Sequence, residues 1–141
     1  IEAVEDHSKP HILVVDDDAF MRDMARESLA EAGFLVSEAE NGVRAVEQTR
    51  QRGPDVVLMD LVMPGVDGLE VMKATRSAEP STEVIILTGH GTSEDMDQCM
   101  RLGAFAYMNK PVNIEELSDS IKKAYEKIQQ RDAALGEMRA D

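Results

Sequence analysis

The stretch HILVVDDDAF sets Asp16, Asp17 and Asp18 directly behind an apolar run. Later apolar runs end in a similar way: DVVLM leads to Asp60, EVIIL to Thr88, and FAYMN to Lys110-Pro111. Carboxylates bind hard cations or serve as nucleophiles, a hydroxyl bonds a phosphoryl oxygen, and an ammonium group neutralises it. Two unit charges ~4 Å apart repel by about 4 kcal/mol at an effective dielectric near 20, so converging carboxylates need a cation or a proton. An open set of acidic oxygens suits Mg²⁺, which keeps several waters. The charges of Asp16, Asp17 and Asp60 would be balanced by Mg²⁺ and Lys110, and a near-neutral site of this kind accepts a phosphoryl group.

These residues meet only if the fold carries them to one edge. Short β-branched runs alternate with helical patterns along the chain. The predicted strands are residues 11–15, 34–39, 55–59, 83–87 and 105–109; the predicted helices lie near 19–32, 43–52, 67–78, 93–102 and from 114 onward. Alternation of this kind implies a doubly wound α/β fold, a parallel sheet with helices on both faces. Parallel strands place all their C-terminal ends on one edge, where α/β ligand sites form. Punctuation agrees with the pattern. Gly33, Gly53 and Gly103 stand where helices end, and Asn113 with Glu116 spells a capping box for the last helix.

The motifs VVDDD, DVVLMDLVMPGVDG, ILTGHG and AYMNKP, in this order and spacing, closely resemble the receiver domain of bacterial two-component response regulators. The resemblance covers about residues 11–128 and implies a flavodoxin-like sheet of five parallel strands in the order 2-1-3-4-5. It implies Asp60 as phosphoacceptor, Asp17 and Asp60 as direct Mg²⁺ ligands, the Val62 backbone carbonyl as a third, and Asp16 as a ligand through water. Thr88 and Lys110 match the phosphoryl-binding pair, Tyr107 the aromatic switch position, and Lys110-Pro111 the family's cis peptide. Asp18 falls outside the acidic pair and reads as a helix N-cap. Pro64, Gly65 and Gly68 shape the loop after Asp60. Val62 carries no polar side chain two residues after the acceptor, and His90 stands two after Thr88. In the family that the motifs resemble, both positions bear on how long an aspartyl phosphate lasts. His90 itself reads as an exposed loop histidine ahead of a ligand or base. The partners implied are a sensor histidine kinase or histidine phosphotransfer protein and an output domain or effector of unknown kind, met through the face formed by residues 93–128.

Composition bounds the alternatives. The 141 residues carry a net charge of −13, which argues against direct binding to nucleic acid or an anionic membrane. A single cysteine, Cys99, excludes an internal disulfide and fits a reducing cytoplasm. No apolar run approaches the ~20 residues of a membrane span. Residues 1–10 read as a flexible arm and 11–128 as the domain. Residues 129–141 read either as a helical extension, able to pair with a second copy or lead to another domain, or as a frayed tail. The competing chemistry is a Mg²⁺-dependent phosphohydrolase of the haloacid-dehalogenase type, with Asp16-x-Asp18 as its nucleophile motif. Against it, Phe20 stands where that class has threonine, no acidic pair follows the fourth predicted strand, and no cap domain is visible.

Overall fold

The computed structural model describes residues 9–63, 66–89 and 91–139. His90, Pro64, Gly65 and most of the N-terminal arm lie outside the described residues. The elements follow in strict alternation: β1 (His11–Val15), α1 (Ala19–Glu31), β2 (Leu35–Ala39), α2 (Gly42–Arg52), β3 (Val56–Met59), α3 (Gly68–Ala78), β4 (Glu83–Thr88), α4 (Ser93–Arg101), β5 (Ala106–Asn109) and α5 (Ile114–Arg139). The strands form one parallel sheet in the order β2-β1-β3-β4-β5, the flavodoxin-like order expected from sequence.

Alternation within the strands builds two cores. Leu13 and Val15, with Val57, Met59, Val84 and Ile86, face one way and pack with Ala45 of α2, Met72 of α3 and Cys99 of α4. Ile12 and Val14, with Val56, Leu58 and Ile85, face the other way and pack with Leu29 of α1 and Leu117, Ile121 and Ala124 of α5. Both faces of the central strands are therefore buried, which is why VVLM and VIIL read as unbroken apolar runs. No helix among the described residues is long and apolar enough to cross a membrane.

Helix boundaries follow from local chemistry. The Asp18 carboxylate accepts from the N–H groups of Phe20 and Met21, as an N-cap does. Asn41, Asp67 and Thr92 cap α2, α3 and α4 in the same way. Asn113 accepts from the Glu116 N–H at the start of α5. Gly33, Gly53 and Gly103 all take positive φ. Several predicted ends move by a residue. Phe34 precedes β2 because its N–H donates to Leu29 at the end of α1. Asp67, predicted inside α3, is its cap.

One element was not predicted. After β3, residues Val62–Met63 pair antiparallel with Val66–Asp67, forming a short hairpin beside the strand edge. Gly68 follows it at a point of close approach, where a Cβ would overlap the Leu61 carbonyl. At the opposite edge, the carboxyl of Glu83 is fully buried at the start of β4. Lys127 at 3.3 Å, Arg131 at 3.5 Å and Arg76 at 3.9 Å surround its Oε1. Arg131 also donates to the Ser81 carbonyl at 2.7 Å, so the distal half of α5 is tied to the sheet.

Candidate functional site

The parallel ladder continues one residue past the strands. Asp16 N–H donates to the Ala39 carbonyl and Asp60 N–H to the Val15 carbonyl, each at 3.2 Å. These bonds hold both aspartates at the C-terminal edge. On the far side of β4, the Lys110 N–H donates to the Thr88 carbonyl at 2.9 Å. Lys110 follows β5 directly, and its peptide bond to Pro111 is cis.

Three of the sequence-predicted side chains touch. The Lys110 ammonium lies 3.2 Å from Asp16 Oδ2 and 3.1 Å from Asp60 Oδ2. The two carboxylates are mostly shielded from water, with side-chain exposures of 11% and 14%, so each would repel the other strongly without the ammonium between them. Burial alone pulls the Lys110 pKa down. The bonds and charges of Asp60 and Asp16 outweigh it, and the net direction is upward. Asp16 also accepts from the Asp18 N–H at 2.9 Å through Oδ1.

Asp17 is exposed on the same loop, next to this pair. Thr88 is fully buried. Tyr107 sits behind it: a Cβ at Gly91 would overlap the Tyr107 hydroxyl and crowd the Thr88 methyl. The hydroxyl is buried with no hydrogen-bond partner among the described residues. Desolvation, then the charge of Asp95, then Cys99, raise its pKa.

The donor set suits a hard cation in kind: carboxylates and, at Val62, a backbone carbonyl in the hairpin after Asp60. Among the described residues, no three His, Cys, Asp or Glu side chains stand close enough together to hold a metal ion. The convergence is therefore Asp16, Asp60 and Lys110, with Asp17 adjacent but not gathered in.

Sequence reasoning missed Arg22 and Glu38. The Arg22 Nη1 donates to the Asp16 carbonyl at 2.7 Å, and its Nε lies 3.6 Å from Glu38 Oε1. The acceptor is a backbone oxygen, which leaves no mark on residue type.

Comparison with known proteins defines the class. The family model for the response regulator receiver domain matches residues 12–122. The chain belongs to that family: it is a receiver domain of two-component response regulators. It is 39% identical over 110 residues to the chemotaxis protein CheY of Halobacterium salinarum, covering 78% of this chain and 92% of that one. It is 34% identical over 112 residues to sporulation initiation phosphotransferase F of Bacillus subtilis, covering 79% and 90%. Among solved structures, a CheY-like receiver domain from Methanospirillum hungatei superposes with a TM-score of 0.83 at 26% identity, covering 87% of this chain and 98% of that one.

Proposed function

We propose that the domain is a phosphorylation switch in which Asp60 is the phosphoacceptor. The observation that carries this reading is the Lys110 ammonium bridging Asp16 and Asp60 at the edge where Thr88 ends the neighbouring strand. The donor is a phosphohistidine on a sensor histidine kinase or a histidine phosphotransfer protein. An Asp60 carboxylate oxygen attacks phosphorus, the P–N bond breaks, and the histidine nitrogen leaves with the electron pair. An acyl phosphate results. Lys110 and the Thr88 hydroxyl then hold the phosphoryl oxygens.

Mg²⁺ would be held by Asp17, Asp60 and the Val62 carbonyl, and by Asp16 through water; when bound, it neutralises charge on the phosphoryl oxygens. Thr88 moves toward those oxygens and Tyr107 fills the space it leaves. The face formed by α4, β5 and α5 then changes partner, an output domain or effector, or a second copy of the chain. Reversing a 1:99 population requires about 5.5 kcal/mol of differential affinity for the phosphoryl group. Autodephosphorylation is attack of water on the same phosphorus, with Asp60 as leaving group. The setting is cytoplasmic. No observation favours the phosphohydrolase reading, since the Asp18 carboxylate is engaged as the α1 cap.

Intact-mass spectrometry with Mg²⁺ and acetyl phosphate tests the assignment. Wild type gains roughly 80 Da, the mass of an added phosphoryl group, and Asp60→Asn does not. Equal labelling of Asp60→Asn would overturn the acceptor assignment; labelling that persists without Asp60 but needs Asp16 would restore the phosphohydrolase.

A further inference from the structure

We propose that Arg22 is a positioning residue for the acidic loop, acting through the backbone of Asp16 and held in place by Glu38; this rests on the Mg²⁺-dependent reading of the site. Every polar group of Asp16 is engaged. Its N–H donates to Ala39 at 3.2 Å, its Oδ1 accepts from Asp18 at 2.9 Å, and its Oδ2 accepts from Lys110 at 3.2 Å. Its carbonyl accepts from Arg22 at 2.7 Å. With that last bond made, the peptide joining Asp16 to Asp17 cannot rotate freely, and the Asp17 Cα keeps one position relative to the Asp16 carboxylate. A cation bound by oxygen ligands depends on such settings, and groups that orient ligands typically change metal affinity about 10–100-fold when removed.

Arg22 is itself braced. Its side chain is 15% exposed, and Nε faces the Glu38 carboxylate at 3.6 Å. Glu38 lies in β2, paired with Val14 of β1. Its carbonyl accepts from the Gln48 amide at 2.8 Å, and its other carboxylate oxygen pairs with Arg26 at 3.2 Å. The guanidinium thus spans a carboxylate and a carbonyl with different nitrogens. An ammonium at this position reaches one or the other, because it is a point donor without a fork. Arg26 supplies the internal control: it shares Glu38 and the α1 helix with Arg22, and none of its hydrogen bonds reaches Asp16.

The test uses calorimetric titration with Mg²⁺ and amide hydrogen exchange of the metal-free protein, comparing Arg22→Met, Arg22→Lys and Arg26→Met. Arg22→Met should weaken Mg²⁺ binding about ten-fold or more and speed exchange at Asp17 and Asp18 without Mg²⁺ present. Arg22→Lys should recover thermal stability but only part of the Mg²⁺ affinity, and Arg26→Met should match wild type in both readouts. Equal losses in Arg22→Met and Arg26→Met would reduce the contact to a general tie between α1 and β2 and overturn the proposal. So would unchanged Mg²⁺ affinity and exchange in Arg22→Met. Wild-type protein that binds no Mg²⁺ would overturn the reading of the site instead; exchange at Asp17 and Asp18 would then still decide whether Arg22 holds the loop.

Discussion

The backbone N–H of Lys110 donates to the carbonyl of Thr88 at 2.9 Å. The ladder that joins β4 to β5 therefore sets side by side the backbones that carry an ammonium and a hydroxyl whose positions in sequence are far apart. The same bond keeps Lys110 at the mouth of the site, where its ammonium reaches Asp16 and Asp60.

The Lys110 ion pairs predict an alkaline signature. Burial disfavours the ammonium, but the Asp60 and Asp16 contacts outweigh it, so the folded pKa lies above the ordinary lysine value. A raised pKa contributes stability that is present below the unfolded value of about 10.4 and is lost as pH rises through the folded one. Wild type should therefore be more stable than Lys110→Met at pH 7, and the two should converge in strongly alkaline buffer. Thermal unfolding of both proteins across that range checks it. Parallel curves would show that the charge contributes nothing.

Tyr107 and Gly91 predict a spectroscopic one. The chain has two tyrosines and no tryptophan, so Tyr125→Phe leaves Tyr107 as the sole tyrosine chromophore. Burial first, then the Asp95 charge, hold its phenol above the ordinary range. In Gly91→Ala the added methyl overlaps the hydroxyl and should expel the ring. Phenolate absorbance in the Gly91→Ala protein should then rise at lower pH than in its parent. An unchanged titration would mean that the ring stays in place.

Asp18 separates capping from catalysis. Asp18→Ala should cost about 1 kcal/mol of stability through loss of the α1 cap, while acetyl phosphate still labels Asp60. Denaturant unfolding and intact mass read the two effects on one sample. Loss of labelling with the fold intact would give Asp18 a chemical role that its hydrogen bonds do not indicate.

Arg131 should protect the end of α5. Its ties to Glu83 and Ser81 bind the helix beyond Ile128 to the start of β4 and the loop before it. Arg131→Ala should speed amide exchange in residues 132–139 and leave 114–124 unchanged. Because Lys127 and Arg76 stay beside the buried Glu83 carboxylate, its charge is not left unpaired in the variant, and the loss should be read first at the helix end. Uniform protection along α5 in the variant would rule out the tether.

The fold was legible because parallel strands covered on both faces leave two plain marks, apolar runs and helical spacers between them. The convergence of Asp16, Asp60 and Lys110 was legible for the same reason, since each follows a strand in a sheet whose ends share one edge. The hairpin at Val62–Met63 and Val66–Asp67 was not, because two-residue strands carry no periodicity. Arg22 was missed because its partner is a carbonyl. Arg131 shows in the sequence only as a charge that interrupts the apolar spacing of α5. Its partner Glu83 looked like an ordinary strand start, and nothing local signals that Arg76, Lys127 and Arg131 gather around it.

Glu83 and Thr88 are the two ends of one six-residue strand. An extended backbone has almost no stretch left in it, so a displacement imposed at Thr88 cannot be absorbed by lengthening β4. It must emerge as rotation of side chains near Thr88 or as tilting of the whole strand. Three cations gripping a buried carboxylate at the far end resist the tilt. In the proposed switch, the lower edge of the domain is in that sense mechanical ground, and the displacement is taken up at the upper edge, among Thr88, Gly91 and Tyr107.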